Sequence, residues 1–321
     1  MGEIELVELI ASTGSARMDA VVRRLIAEMH TVLPGQLRAV YVLGSYADAS
    51  AVSTSDLDLE LIIADHLLDD ERARIQAFLA GFASSTEGEL DIGFPDEDSL
   101  RAGVSPILKL GGRLLWGVDL RQTLDLMPLA AWTRDRMHTS YWRLFGLFSR
   151  PLPLAMPLDY PDPADEFYGY ARRLTRLPDG RDVAGTRDLM RSVGWMATAL
   201  VAYQASQYVA TKRDCASMYR TQIGDEWSDL LDDMAEWVRG GWQYRIPADP
   251  EERARLRAIC ARTLGFENHF LMVYRDYALA ELRGEDPAGR QMARETLQRV
   301  PLADAVVMEA VAMAEREMPD Q

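Results

Sequence analysis

The stretch Leu43-Gly44-Ser45-Tyr46-Ala47-Asp48-Ala49-Ser50-Ala51-Val52-Ser53-Thr54-Ser55-Asp56-Leu57-Asp58-Leu59-Glu60-Leu61-Ile62-Ile63 organises the chain. An apolar segment, Leu37 to Leu43, leads into its Gly-Ser, and an alternating one, Leu57 to Ala64, follows its first aspartate. Two successive strands are expected, joined through a short helix after Gly44, with their polar ends facing a common site.

Strand pitch gives the Asp-x-Asp its chemistry. Side chains two apart emerge on one face, separated by roughly 6–7 Å at a rise of about 3.3 Å per residue. Asp56 and Asp58 can therefore hold a hard divalent cation; Mg²⁺ takes a few carboxylate oxygens and keeps positions open for phosphate oxygens. Leu57 and Leu59 point the other way, into a core. Gly44 lets the backbone approach a ligand closely, and a helix starting just after it turns free N–H groups outward. A triphosphate fits there, with the Ser45 hydroxyl on a phosphate oxygen. Two strand-end aspartates alone are ordinarily solvated surface acids. The Gly-Ser at this spacing, between two strand-like runs, favours a site instead.

Gly-Ser, ten residues, then Asp-x-Asp with Ser55 directly before the first Asp resembles the signature of the polymerase-beta-type nucleotidyltransferase superfamily, and within it the aminoglycoside (antibiotic) nucleotidyltransferases. The resemblance covers the first third of the chain with specific motifs and the rest weakly. Many members carry a glycine four or five residues after the first one, often preceded by Arg, where this chain has Asp48-Ala49-Ser50. The resemblance implies an α/β (α+β) nucleotidyltransferase domain with a small mixed sheet, residues 1–125, followed by an all-α helical acceptor-binding domain, residues 126–321. It also implies Mg²⁺-dependent transfer of AMP from ATP to a hydroxyl of a small acceptor such as an aminoglycoside.

Such a transfer needs a group to take the proton of the attacking hydroxyl or to complete the metal sphere. Glu89-Leu90-Asp91-Ile92-Gly93-Phe94-Pro95 reads as a third strand. The family's third carboxylate matches Asp91, which makes Asp56, Asp58 and Asp91 the expected catalytic and metal-binding set. Glu89, two residues earlier on the same face, is the rival, and Glu60 continues the face of Asp56 and Asp58. Further on, Thr211-Lys212-Arg213-Asp214 puts two cations at a helix start, where acids are the favoured charge. A nearby triphosphate accounts for them, and Lys212 resembles a nucleotide-binding lysine of the aminoglycoside adenylyltransferases. With Gly44 and Ser45 it completes the expected nucleotide contacts.

At 321 residues and 48% hydrophobic composition the chain can bury two cores. Only Cys215 and Cys260 occur, far apart, which fits a reducing compartment. The start, Met1-Gly2-Glu3-Ile4-Glu5-Leu6, has no basic region and no myristoylation pattern. The longest apolar stretch, Leu189 to Ala210, is broken by Arg191, Gln204 and Gln207, so it reads as a buried helix and not a membrane span. A cytoplasmic protein is expected. The formal net charge of −15 opposes the basic balance that gripping nucleic acid requires, and it suits a cationic small acceptor.

Along the chain, helices are expected before the first strand, from Met18 to His30, and again from about Leu68 to Ala83. Leu114 to Leu120 closes the first domain; Trp116 within it is a core residue or, less in keeping with its apolar neighbours, a base-flanking one. Beyond Met127 no strand pattern recurs. Helices are expected over Leu129–Phe148, Asp165–Leu177, Arg187–Val209, Lys212–Tyr219, Trp227–Arg239, Glu251–Leu264, Glu267–Leu282 and Leu302–Met318. Trp242 to Pro247, Phe266 to Phe270 and Tyr274 to Tyr277 mix aromatic and polar groups that could line an acceptor pocket, although aromatic positions at helical spacing normally face a core. His269 has no partner evident in the sequence. Two rivals to a small-molecule transferase stand: a nucleotidyltransferase acting on RNA or on a protein side chain, and a nucleotide-binding protein without turnover.

Overall fold

The structure, a computed structural model, describes residues 7–176 and 181–317. The chain divides into two compact units. The first comprises Met1–Pro128 with the short segments Arg176–Arg181 and Val209–Asp214. Its elements are helix α1 (Ala16–Val32), strand β1 (Leu37–Val42), helix α2 (Gly44–Ala47), strand β2 (Leu57–Ile63), helix α3 (Asp69–Ser84), strand β3 (Leu90–Gly93), helices α4 (Glu97–Leu100) and α5 (Pro106–Gly111), and strand β4 (Arg113–Gly117).

The four strands form one mixed sheet in the order β3-β2-β1-β4. β1 pairs antiparallel with β2 and β4, and β2 pairs parallel with β3. Alternation assigns the faces. Leu57, Leu59, Leu61 and Ile63 of β2 join Val22, Leu25, Ile26 and Met29 of α1 and Ile75, Leu79 and Phe82 of α3 in the larger core. On the opposite face Ala39, Tyr41 and Ile62 pack with Leu100, Val104 and Leu108. That face belongs to the polar side chains of β2.

Trp116 belongs to the larger core, where its ring meets His30 edge-on at 5.1 Å. It therefore packs on the sheet face away from Asp58, as an apolar neighbourhood dictates, and flanks no base at the site. The turn glycine after it, Gly117, has φ +86°, and a Cβ there would stand 2.1 Å from the Arg38 carbonyl oxygen.

The second unit comprises Leu129–Thr175, Asp182–Tyr208 and Cys215–Gln321. It is built from helix α6 (Leu129–Phe148), a two-stranded sheet of β5 (Arg173–Arg176) and β6 (Asp182–Gly185), and helices α7 (Arg187–Gln204), α8 (Lys212–Gln222, whose first three residues belong to the first unit), α9 (Ser228–Asp233), α10 (Pro250–Arg283), α11 (Pro287–Arg299) and α12 (Ala305–Glu317). Helical packing dominates, with the two-stranded β5–β6 sheet as its one sheet among the described residues.

Four expectations are corrected here. The helix expected over Asp165–Leu177 is a turn followed by β5 as far as Arg176, Leu177 lying outside the described residues. The Asp165 carboxylate accepts the N–H groups of Phe167 and Gly169, and Tyr168 and Gly169 both have positive φ, which no helix tolerates. The two helices expected on either side of Gly265 are one, α10, of 34 residues. Gly265 is a contact point and not a break: a Cβ there would lie 2.7 Å from the Trp227 ring. The helix expected over Trp227–Arg239 is α9 continued by a π-helical stretch, Met234–Gly241. Finally, the tail holds two helices where one is expected; α11 starts with Pro287 in its first turn, capped by the Asp286 carboxylate.

A buried ion pair lies inside this unit. Arg150 donates to Glu267, whose carboxylate also accepts the Tyr170 hydroxyl at 2.6 Å. Both charged side chains are almost wholly enclosed, which only pairing makes tolerable.

Candidate active site

The site is assembled at one end of the first unit's sheet. β1 runs out at Val42, and Gly44 turns the chain with a left-handed backbone, φ +58°. A side chain is excluded there: a Cβ on Gly44 would stand 2.4 Å from Asp58 Oδ2. The Leu43 N–H donates to the Asp58 carbonyl at 2.9 Å, so the turn is laced to β2 at the residue whose carboxylate it covers. Ser45 is buried.

Asp56 stands one residue before β2 and is buried, while Asp58 lies within the strand and is half-buried. The loop leading to them is closed by its own side chains. The Ser55 hydroxyl accepts the Val52 N–H at 2.9 Å, and the Ser55 N–H donates to the Val52 carbonyl at 2.9 Å. Ser55 before the first aspartate thus has a local structural task.

Parallel pairing brings the third carboxylate alongside. Asp91 of β3 is the register partner of Asp58, and paired residues of neighbouring strands share a face. Asp91 is exposed, as is Glu89, whose carbonyl accepts the Leu57 N–H at 3.0 Å. Glu89 therefore lies one step outside the ladder, level with Asp56. Glu60 sits deeper on the face. Its carboxyl is pushed up to about 7 by burial first and by the charge of Asp91 second. Gly93 opposite makes room for it: a Cβ there would stand 2.6 Å from Glu60 Oε2.

Among the described residues no group of three His, Cys, Asp or Glu side chains is set as a ready metal cage. The donors that fit a hard cation are the carboxylates of Asp56 and Asp58, oxygen ligands two residues apart, with the Gly44 turn packed against Asp58 so closely that only the missing Cβ leaves room for its carboxylate. Asp91 joins them through register. The side chain of Lys212 lies outside the described residues. Its segment belongs to the first unit, and a Cβ on Gly111 of α5 would stand 2.8 Å from the Ala210 carbonyl oxygen.

Three features of the turn are not evident from sequence. Ala49 takes φ +58°, so the loop holds a left-handed residue that is not a glycine. Asp48 ties the loop by accepting the Ser50 N–H at 3.0 Å, and its other carboxyl oxygen is buried without a hydrogen-bond partner. Arg113, opposite Val42 on β4, donates its guanidinium to the Tyr46 carbonyl. A cation at the head of an apolar run was the only signal that could have singled it out.

The aromatic candidates of the second unit are packing residues. Phe266 and Tyr274 are fully buried and Trp242 nearly so. His269 lies beside the Asp225 carboxylate, 3.7 Å away and an ion pair only when the ring is protonated, and stacks beside Phe266. No described helix is long and apolar enough to cross a membrane.

No protein-family model and no curated protein matches the chain. Among solved structures it is similar to the spectinomycin adenyltransferase AAD(9) from Enterococcus faecialis, solved with ATP and spectinomycin. That match has 12% identity over 77% of this chain and 98% of that one, with a TM-score of 0.43. It is also similar to a toxin-antitoxin solved with AMP-PNP, at 23% identity over 33% of this chain and 77% of that one, with a TM-score of 0.24. Both likenesses are of fold alone; the chemistry is read from the residues themselves.

Proposed function

We propose that the protein is a nucleotidyltransferase that moves AMP from ATP to a hydroxyl of a small acceptor. The observation that carries this reading is the convergence of Asp56 and Asp58 with the Gly44 turn on one side and Asp91 in register on the other. Asp56 and Asp58 would hold Mg²⁺, which when bound neutralises phosphate charge and polarises the reacting phosphoryl group. The Gly44 turn and Ser45 position the phosphates, and Lys212 adds charge toward them. Asp91 takes the proton of the acceptor hydroxyl. The hydroxyl oxygen bonds to the α-phosphorus as the bond from that phosphorus to the bridging oxygen breaks, and pyrophosphate leaves with the electron pair.

The net charge of −15 supports a cationic acceptor such as an aminoglycoside over nucleic acid. A cytoplasmic setting, where ATP is abundant and cysteines stay reduced, is part of the same reading.

The test is pyrophosphate release from each ribonucleoside triphosphate with Mg²⁺, against a panel of aminoglycosides, spectinomycin and a tRNA pool, with D56N as control. Release that needs a small aminated acceptor and ATP, and is absent in D56N, is the expected result. Release with tRNA alone would replace the acceptor class, and full activity in D56N would overturn the site.

A further inference from the structure

We infer that Glu60 is a specificity-determining residue of the site, its carboxylate receiving an ammonium group that the acceptor carries near its reacting hydroxyl. The inference rests on the transferase reading above and adds a residue that binds acceptor to a set that binds metal, phosphate and proton.

Strand pairing fixes the place. Asp58 is the register partner of Asp91 and Glu60 of Gly93, so Glu60 follows Asp58 along the same face of β2. Glycine at 93 is what admits the acid: a Cβ there would stand 2.6 Å from Glu60 Oε2 and 2.9 Å from the carboxyl carbon. The carboxyl group therefore lies over the β3 backbone two residues past Asp91, near enough to feel the Asp91 charge.

Further inward this face is closed. Ile62, the next residue of β2 on it, packs with Leu100, Val104 and Leu108. Tyr41, across β1 from Glu60, is buried, and its hydroxyl accepts the Leu120 N–H and donates to Asp119. Glu60 is the last charged side chain of β2 before that apolar layer. It is half-buried, and its carboxyl oxygens are not among the sealed polar atoms. The open direction is toward Asp58 and Asp91.

The acid has no cation of its own. Among the described residues neither Glu60 nor Asp91 makes a side-chain hydrogen bond or an ion pair. Arg121, which stacks on the Tyr41 ring, is committed to both carboxyl oxygens of Asp119. Two neighbouring carboxylates without a positive partner repel each other, the more so where solvent is partly excluded. An acid kept at the edge of an apolar layer for structure alone is normally matched within the chain. One left unmatched and open toward the reacting groups is matched by what binds there. An ammonium supplies that charge together with up to three donors. A divalent metal is the other cation that suits carboxylates, and the test separates the two.

The test measures calorimetric binding of kanamycin, neamine and spectinomycin to the full-length protein loaded with Mg²⁺ and α,β-methylene-ATP, which cannot release pyrophosphate. Wild type, E60Q and E60D are compared at low and high salt, and binding of the nucleotide itself is measured in each. E60Q is expected to weaken the aminated compound that wild type binds best by about tenfold at low salt, as a charge-assisted hydrogen bond is lost. The difference should shrink at high salt, and nucleotide binding should stay unmoved. E60D, which keeps the charge and shortens the reach, falls between.

Equal affinities in wild type and E60Q overturn the inference. A loss of the same size at both salt concentrations does so too, since that is the mark of shape alone, and so does weaker binding of Mg²⁺ with the nucleotide, which would assign Glu60 to the metal. All three leave the transferase reading standing. If E60Q does not fold, E60D decides: weaker, salt-sensitive binding of the aminated compound supports the inference, and unchanged binding overturns it. Wild-type protein that binds the nucleotide but none of the three compounds overturns this inference alone, whereas wild type that binds no nucleotide overturns both readings together.

Discussion

Gly44 and Asp58 touch without a side chain between them: a Cβ on Gly44 would lie 2.4 Å from Asp58 Oδ2, and the Gly44 backbone has φ +58°. G44A is therefore strained in conformation and in space. It is expected to lower turnover by about a hundredfold or more through a displaced carboxylate, and to lower stability by about 1–2 kcal/mol. Steady-state rates and urea unfolding of the purified variant check both.

The three carboxylates are expected to separate by role. D56N and D58N should each lose on the order of 10²–10³ in turnover as charge stabilisation fails, and added Mg²⁺ should no longer raise ATP affinity. D91N should lose about 10²–10⁴ in kcat as the proton acceptor goes, with ATP binding retained. E89Q is the control for the neighbouring acid, and a larger loss in E89Q than in D91N would transfer the role.

Glu60 predicts a pH dependence of stability. Its carboxyl, ordinarily near 4.5, is pushed up to about 7 by burial and Asp91. The folded protein keeps a proton that the unfolded chain has already released, so the contribution to stability is complete below about 4.5 and is lost as pH rises through about 7. E60Q removes this slope. Its stability relative to wild type should rise from pH 5 to pH 8 by an amount on the order of 2 kcal/mol, read from urea midpoints at the two pH values.

In the second unit, Arg150 is the buried counter-charge of Glu267. R150M leaves that acid enclosed without its cation and should cost about 3–5 kcal/mol in unfolding free energy. R150M combined with E267M should recover part of the loss. A double variant no more stable than R150M would show that Tyr170 and Ser192, which also donate to Glu267, already satisfy the acid.

What the sequence determined by itself was local. The apolar run into Gly44, the alternation of Leu57, Leu59 and Leu61 and the long helical period over Leu129–Phe148 need only neighbours a few residues away, and each appears as read. The aspartates at the strand end and the short helix after Gly44 were legible for the same reason. The tertiary structure decided what depends on pairing between distant segments. The parallel register placing Asp91 beside Asp58, the reach of Arg113 to Tyr46, and the contact of Trp227 with Gly265 that turns an apparent break into the middle of α10 all join residues far apart in the chain. Local period and turn chemistry are written in consecutive residues, whereas register and close approach follow from how whole strands and helices exclude one another in space.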